Sequence, residues 1–169
     1  MENLKNPAYL AKILSPSQAK ALRGDLAKAG QILVMTNGCF DLLHPGHLRY
    51  LAEARALGDF LLVALNDDKS IKRLKGPQRP IRPENERAEM LAGLTMVDGV
   101  TLFSEDTPLN LIELLQPDIL AKGGDWPADK IVGGPETLAR GGKVCSLSLV
   151  PGLSTTNLIA KILSLAKDE

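Results

Sequence analysis

Short apolar runs that alternate with amphipathic stretches constrain the fold of this 169-residue chain more than any other feature of its sequence. Because the runs are almost continuously apolar, they are typical of strands that are covered on both faces, as in a parallel sheet. Bounded by glycine, aspartate or proline, they predict the five strands Gln31–Thr36, Phe60–Leu65, Val97–Phe103, Ile119–Lys122 and Val144–Leu149.

Helix signals lie between these runs. Proline or a small polar residue opens several of the stretches, as is usual at helix starts, and glycine or proline follows others. Ser154 or Thr155 caps a last helix that ends near Leu165. The alternation of strands and helices predicts an α/β domain with a Rossmann-like, doubly wound, parallel five-stranded sheet. The other predicted helices are His47–Leu57, Pro83–Leu91, Thr107–Gln116 and Pro135–Ala139.

An N-terminal helical extension, residues 1–30, precedes the predicted single domain of residues 31–169. Ser15-Pro16 is a strong helix start, and an amphipathic pattern that includes Leu26 follows it until Gly30. We expect this helix to pack on the domain or on a second subunit.

Charge and cysteine content exclude several classes of protein. The chain has 20 basic and 20 acidic residues, and this balance argues against a nucleic-acid or membrane-surface binder with a basic face. The sequence contains neither the apolar core of a signal peptide nor the run of about 20 apolar residues that a membrane span needs. Two cysteines are too few for a disulfide framework. We therefore expect a cytoplasmic protein that binds neither nucleic acid nor membrane.

The segment Thr36–His47 follows the first predicted strand and contains both histidines of the chain. In an open parallel sheet, ligands bind beyond the carboxyl ends of the strands, near the point where the strand order reverses. Gly46 allows close approach of a ligand, and the helix behind it offers free N–H groups. The imidazoles of His44 and His47 beside these amides predict a site for anionic oxygens, above all phosphates.

Other interpretations of this segment concern its remaining polar residues. No cysteine or further histidine joins Asp41, so we expect no metal held by protein side chains. Asp41 either orients a histidine or caps the turn. Cys39 is expected to be a small wall residue, because no base is placed to activate it as a nucleophile.

Gly38–His47 resembles the G-x-F-D-x-x-H-x-G-H signature of the cytidylyltransferase-like nucleotidyltransferases. Over about Gln31 to Leu163, the chain is similar to the branch that adenylylates D-glycero-β-D-manno-heptose 1-phosphate. Cytidylyltransferases specific for glycerol phosphate have an arginine where this chain has Leu149, which disfavours that branch. The further segments that carry the resemblance are Asn66–Gly76, Arg79-Pro80, Ser104–Pro108, Lys122–Asp125 and Ser154–Asn157.

The resemblance implies an enzyme that transfers AMP from ATP to heptose 1-phosphate by direct in-line attack, giving ADP-heptose and pyrophosphate. It implies Mg²⁺ as the cofactor and a homodimer or higher homo-oligomer as the assembly. The alternatives are a related enzyme with another phosphorylated acceptor (glycerol 3-phosphate, FMN or phosphopantetheine) and a nucleotide-binding module without turnover.

The resemblance also implies roles for individual residues. The catalytic residues are His44, His47 and Lys72. The same three residues bind the nucleotide, together with Asn37, Gly38, Cys39, Phe40, Gly123, Asp125, Gly152, Ser154, Thr155 and Thr156. The second substrate is bound by Asp41, Lys75, Arg79, Arg87 and Trp126.

Several of these residues also have an ordinary structural interpretation. Lys72 and Lys75 lie in residues 69–82, which hold six basic residues and no acid, and such a stretch is otherwise a solvated basic loop. Arg87 is spaced to pair with Glu84 on its own helix. Trp126 is either the wall of a pocket or part of the core. The hydroxyls at 154–156 also suit a helix cap, and Asp125 a turn cap.

Overall fold

A parallel sheet of six strands, in the order β1-β4-β3-β2-β5-β6, forms the centre of the molecule. The computed structural model describes residues 7–124, 126–148 and 150–165, so the predictions for Asp125 and Leu149 lie outside the described residues. The strands are β1 (Ile13–Leu14), β2 (Leu33–Gly38), β3 (Phe60–Asn66), β4 (Gly99–Phe103), β5 (Ile119–Gly123) and β6 (Lys143–Leu147).

The five predicted strands are confirmed as β2 to β6, but the predicted number of strands is one too low. β1 pairs in parallel with β4 at the edge of the sheet, with Ile13 opposite Val100. A strand of two residues leaves no periodic pattern in a sequence. Its formation depends on the neighbouring edge of β4, which local pattern does not reveal.

Seven helices accompany the sheet in the described residues, and the sequence patterns predict all of them except α3. Asp67 caps α3 by accepting a hydrogen bond of 2.6 Å from the backbone N–H of Ser70. The helix is strongly charged, and Ile71 is its one buried apolar residue, so it has no apolar stripe to indicate a helix. The helices are α1 (Pro16–Lys28), α2 (Pro45–Arg55), α3 (Asp68–Lys75), α4 (Glu84–Ala92), α5 (Leu109–Leu115), α6 (Gly134–Ala139) and α7 (Thr155–Leu165).

The apolar side chains of the strands alternate between two clusters, one on each face of the sheet. On β2, Val34 belongs to one cluster, and Leu33 and Met35 belong to the other. Residues of α2 and α4 cover the first cluster, and residues of α1 and α5 cover the second. This burial on both faces confirms the predicted Rossmann-like, doubly wound architecture.

The N-terminal segment packs on this same sheet. Ser15 and Gln18 form a capping box at the start of α1, and Arg23 on α1 makes an ion pair of 2.8 Å with Asp118. Before β1, the ammonium group of Lys12 donates to the carbonyls of Leu94 and Val97 at 3.1 and 2.8 Å. Of the two placements expected for the predicted helix, the structure shows packing on the chain's own domain.

The strand order reverses at β2, which has β3 and β4 on one side and β5 and β6 on the other. In sheets of this kind a crevice opens where the loops after the two central strands diverge. Here those loops follow Gly38 at the end of β2 and Gly123 at the end of β5. In the part of the chain that the structure describes, no helix has the length and apolar character needed to cross a membrane.

Candidate active site

The turn between β2 and α2 brings the two histidines into contact. His44 is the residue before α2 and has extended backbone, and His47 lies in the first turn of the helix. Their rings stack with centroids 3.9 Å apart and planes inclined by 28°. Phe40, which has a positive φ of 42°, packs against His47 at 5.2 Å. The side chains that the sequence places in one turn therefore form one cluster.

The histidine pair is held in its neutral form. Burial lowers the pKa of His47 to about 4, and the neighbouring His44 contributes to this shift. Burial also lowers the pKa of His44. The Nδ1 atoms of both rings are buried, and neither has a hydrogen-bond partner among the described residues. At neutral pH each ring therefore has one N–H donor and no positive charge.

The histidine cavity, of about 220 Å³, lies between the N-termini of α2 and α7 and is lined by His44, Gly46, His47, Tyr50, Val150, Leu153, Ser154 and Thr155. The first turn of α7 presents backbone N–H groups, which favours anionic oxygens. In α2 the N–H of Gly46 is left for a ligand, because Pro45 has no N–H and those of His47 and Leu48 donate to the carbonyl of His44. A Cβ atom on Gly46 would lie 3.0 Å from the His44 ring and 3.3 Å from Leu153. Glycine at this position therefore allows α2 to approach α7 closely.

The N-terminus of α7 carries the hydroxyl groups that the resemblance assigns to the nucleotide. Ser154 caps the helix by accepting a hydrogen bond of 3.0 Å from the N–H of Asn157. Thr155 donates to the carbonyl of Leu42 at 3.2 Å, which ties α7 to the histidine turn. Thr156 is exposed and lies outside the lining of the histidine cavity. Gly152 precedes these residues with a φ of 78°, which suits glycine.

A second cavity, the strand-end cavity, has a volume of about 340 Å³ and lies at the ends of β2, β3 and β5. Gly38 and Cys39 line it, so the loop after β2 borders both cavities. Burial raises the pKa of the Cys39 thiol, in keeping with a wall residue. The other lining residues are Asn37, Asn66, Leu74, Lys75, Asp106, Thr107, Pro108, Lys122, Trp126, Lys130, Ile131 and Val132.

Trp126 is 56% exposed and contributes to the wall of the strand-end cavity. The sequence left two alternatives for Trp126, the wall of a pocket or the core, and the core alternative is therefore wrong. Gly123 ends β5 beside it, and Gly124 has a φ of 105°, which a residue with a side chain rarely adopts.

Three of the six basic residues at 69–82 pair with acids, although none of these acids lies within that stretch. The ion pairs are Arg73 with Asp106 at 2.7 Å, Arg79 with Asp41 at 2.6 Å and Arg82 with Glu86 at 3.0 Å. Half of the stretch, residues 69–75, belongs to the helix α3 rather than to a loop. Lys75 lines the strand-end cavity, whereas Lys72 is exposed on α3 and lines neither of the two cavities.

Asp41 holds the loop before α4 in place. Its buried carboxylate accepts from the Arg79 side chain at 2.6 Å and from the backbone N–H groups of Ile81 and Arg82. Burial by itself would raise the pKa of Asp41, but the hydrogen bonds from Arg82, Ile81 and Arg79 outweigh it and lower the pKa. Asp41 thus neither orients a histidine nor presents its carboxylate to a substrate. The guanidinium group of Arg79 is paired with Asp41.

Arg87 is the clearest departure from the predicted substrate-binding set. Its side chain is fully buried and donates to the carbonyls of Cys39, Asn66 and Arg82 and to the carboxylate of Asp68. The pairing with Glu84 does not form, because Glu84 accepts from the backbone N–H of Asp68 instead. Arg87 joins three segments of the site, and its guanidinium lines neither cavity.

Sequence reasoning missed two residues that the structure places at the site. Tyr50 on α2 reaches the sheet, where its hydroxyl contacts the hydroxyl of Thr36 and the carbonyl of Ala121, and so fixes α2 against β2 and β5. Lys122 is the second residue, and its ammonium group donates to the side-chain oxygen of Asn37 at 3.0 Å. A lysine near the carboxyl end of a buried strand is the signal that could have found it.

The segment that contains the histidine pair also matches a known protein family. The profile of the cytidylyltransferase-like family matches residues 35–147, which run from β2 to β6 and include the histidine pair. The chain belongs to the cytidylyltransferase-like family. The bifunctional protein HldE of Geotalea uraniireducens is 55% identical to this family member over 159 residues, which are 94% of this chain and 31% of that protein. The chain spans 28% to 32% of the length of the curated relatives it matches.

Two solved structures are similar to this cytidylyltransferase-like chain. The lipopolysaccharide core biosynthesis protein from Thermoplasma volcanium is 33% identical with a TM-score of 0.58, over 72% of this chain and 98% of that one. The pantoate-beta-alanine ligase from Francisella tularensis, complexed with beta-gamma ATP and beta-alanine, is 16% identical with a TM-score of 0.57, over 90% of this chain and 78% of that one. At that identity, the second structure shows a shared fold only.

Proposed function

We propose that this chain transfers AMP from ATP to D-glycero-β-D-manno-heptose 1-phosphate and releases pyrophosphate. The observation that carries the proposal is the stacked, neutral histidine pair, which lies where the N-termini of α2 and α7 meet. The resemblance to the heptose branch supports the acceptor, as does the likeness to a protein described as acting in lipopolysaccharide core biosynthesis.

The reaction needs charge stabilisation more than acid–base chemistry. An oxygen of the sugar phosphate attacks the α-phosphorus of ATP, a new P–O bond forms, and the bond to the pyrophosphate oxygen breaks. Since the attacking oxygen is already anionic, no base has to remove a proton. Catalysis then consists of positioning two anions and stabilising the charge that develops on the phosphoryl oxygens.

The residues of the histidine cavity suit the triphosphate. His44 and His47 donate their N–H groups to phosphate oxygens. The first turn of α7, with Ser154, Thr155 and Thr156, receives the β- and γ-phosphates. The nucleoside lies along the loop after β2, which borders both cavities, and its proposed contacts are Asn37, Gly38, Cys39, Phe40, Gly123, Asp125 and Gly152.

We propose Mg²⁺ as the cofactor that arrives with ATP. In the described residues no three histidine, cysteine or acidic side chains come together as a metal site, so phosphate oxygens and water would hold the ion. Bound in that way, Mg²⁺ supplies neutralisation of the triphosphate charge. We also propose a cytoplasmic location, and a homodimer or higher homo-oligomer remains our prediction for the assembly.

Pyrophosphate release, measured with ATP or CTP and a panel of phosphorylated acceptors, tests the proposal. We expect heptose 1-phosphate with ATP to give the highest kcat/KM. A higher kcat/KM with glycerol 3-phosphate, FMN or phosphopantetheine would show that the enzyme uses that acceptor instead. ATP binding without turnover on any acceptor would indicate a non-catalytic nucleotide-binding module.

Lys72 needs its own test, because it is exposed and lines neither cavity. We propose that it reaches the triphosphate, so Lys72→Ala should raise the KM for ATP. Lys69→Ala, on the same helix, is the matched control. Equal ATP kinetics in the two variants would remove Lys72 from the site.

A further inference from the structure

Lys122 places a positive charge at the point where the strand order of the sheet reverses. It lies in β5 next to Gly123, and its ammonium group crosses to β2, where it donates to Asn37 at 3.0 Å. Its side chain is partly buried and lines the strand-end cavity. The mechanism above gives this residue no role.

The charge of Lys122 has no counter-ion in the described part of the chain. Its one hydrogen bond is to the neutral side-chain oxygen of Asn37, and no described carboxylate forms an ion pair with it. The ammonium group has three N–H donors, so two remain for a ligand. Burial lowers the pKa of Lys122, and Lys75 adds to this effect. A half-buried cation without an anion is costly, and an anionic ligand would offset that cost.

The rest of the strand-end cavity favours a compact anion attached to a larger polar group. Lys75 provides a second ammonium group on the cavity wall, and Asn66 provides a neutral polar side chain. Leu74, Ile131 and Trp126 form an apolar wall that can cover a sugar ring. This cavity does not include the helix N-termini that suit a triphosphate.

We propose that Lys122 binds the phosphate group of the acceptor, a sugar phosphate, and that Asn37 holds its ammonium group in position for this contact. The proposal rests on the proposed function and adds to it a residue that selects the second substrate. Lys122 stays protonated throughout, since the acceptor oxygen attacks the α-phosphorus as an anion and pyrophosphate leaves with its electron pair. Lys122 therefore orients the attacking oxygen and does not act as a base.

Steady-state kinetics of Lys122→Met, Lys122→Arg and the control Lys20→Met test this role. Lys20 is exposed on α1. A hydrogen bond between charged groups contributes on the order of tenfold to a hundredfold in affinity. We expect Lys122→Met to raise the KM for heptose 1-phosphate at least about tenfold, with the KM for ATP within about twofold of the wild type. Lys122→Arg should recover part of the loss, and Lys20→Met should match the wild type.

An unchanged KM for the acceptor in Lys122→Met, or an equal rise in the KM for ATP, would overturn the proposal. A thermal unfolding curve for each variant checks that the fold is retained. If Lys122→Met does not fold, Lys122→Gln takes its place in the same assay.

A binding measurement separates this proposal from the proposed function. Inorganic phosphate is titrated into the wild type and Lys122→Met by calorimetry, with a non-hydrolysable ATP analogue at saturation so that the histidine cavity is filled. We expect the wild type to bind phosphate and Lys122→Met to bind it at least about tenfold more weakly, whether or not heptose 1-phosphate is the true acceptor. No binding by the wild type, or equal binding by both proteins, would refute the role of Lys122.

Discussion

The neutral state of His47 follows from its surroundings. The ring is largely buried, His44 stacks on it at 3.9 Å, and no described carboxylate accepts from its Nδ1. A proton on His47 would therefore be buried beside a second imidazole, and the pKa is lowered to about 4. Without a bound anion, His47 is therefore an uncharged N–H donor across the physiological pH range.

We predict that the lowered pKa of His47 makes the stability of the protein depend on pH. Its pKa in the folded state is about 4, below the ordinary value of 6.5, so the unfolded chain binds the proton more tightly. As the pH falls from about 6.5 towards 4, the free energy of unfolding should fall, because protons stabilise the unfolded state. Above pH 6.5 this contribution is constant.

Urea denaturation of the wild type and His47→Asn between pH 4 and 8 measures this effect. The variant should lose part of the decrease below pH 6.5. Identical pH dependence of stability in both proteins would contradict the neutral histidine.

At the level of residues, the sequence predicts what lies close together along the chain. The spacing of His44 and His47 around Gly46 is local, and the structure brings the two rings together as that spacing indicates. The resemblance assigns Asp41 and Arg87 to the substrate, but the structure shows partners that are distant in sequence, at Arg79 for Asp41 and at Cys39 and Asn66 for Arg87. A local pattern holds no information about such contacts.

The elements around the site are joined by Arg87 on α4. Its guanidinium links the loop after β2, the end of β3 and the start of α3, through Cys39, Asn66 and Asp68. The helix that carries Lys75 is therefore fixed relative to the loop that carries the histidines. Two of the acceptors of Arg87, Cys39 and Asn66, line the strand-end cavity.

We predict that Arg87→Met lowers the free energy of unfolding by about 3 to 5 kcal/mol, since it leaves Asp68 and the three carbonyls that accept from Arg87 without their partner. Arg82→Met is the control, because Arg82 forms an exposed pair with Glu86 and such pairs contribute about 1 kcal/mol or less. Urea denaturation compares the two variants. A similar, small loss in both would show that Arg87 does not join these elements.

The sequence predicts the strands well and α3 poorly, for a physical reason. Strands buried on both faces need nearly continuous apolar runs, and such runs are visible without any tertiary knowledge. Helix α3 is held by its Asp67 cap and by the contact of Asp68 with Arg87. The Asp67 cap is a local signal that could have indicated a helix start, whereas the contact with Arg87 is tertiary and leaves no local pattern.

At the scale of the whole molecule, the site lies away from the edge of the sheet that the N-terminal segment covers. β1 pairs only with β4, while both cavities involve the loops around β2 and β5. The two-residue strand was not predictable because it exists only against β4. Its role is to cover a strand edge that would otherwise be open.

We predict that removal of residues 1–14 lowers the Tm by at least about 4 °C, which corresponds to a loss of about 1 to 2 kcal/mol in a chain of this size. The kcat measured well below the Tm should stay within about twofold of the full chain. Lys12→Met, which removes only the contacts with Leu94 and Val97, should give a smaller decrease. An unchanged Tm after truncation, or a loss of kcat in the folded truncated chain, would contradict this separation.

The histidine pair at the junction of α2 and α7 is proposed to stabilise AMP transfer to a sugar phosphate. The most direct measurement is pyrophosphate release from ATP and heptose 1-phosphate at pH 7, by the wild type and by His47→Ala, with ADP-heptose identified as the other product. We expect turnover by the wild type and a kcat at least about 100-fold lower in folded His47→Ala, the scale for loss of a transition-state donor. Near-normal turnover by His47→Ala would contradict this expectation.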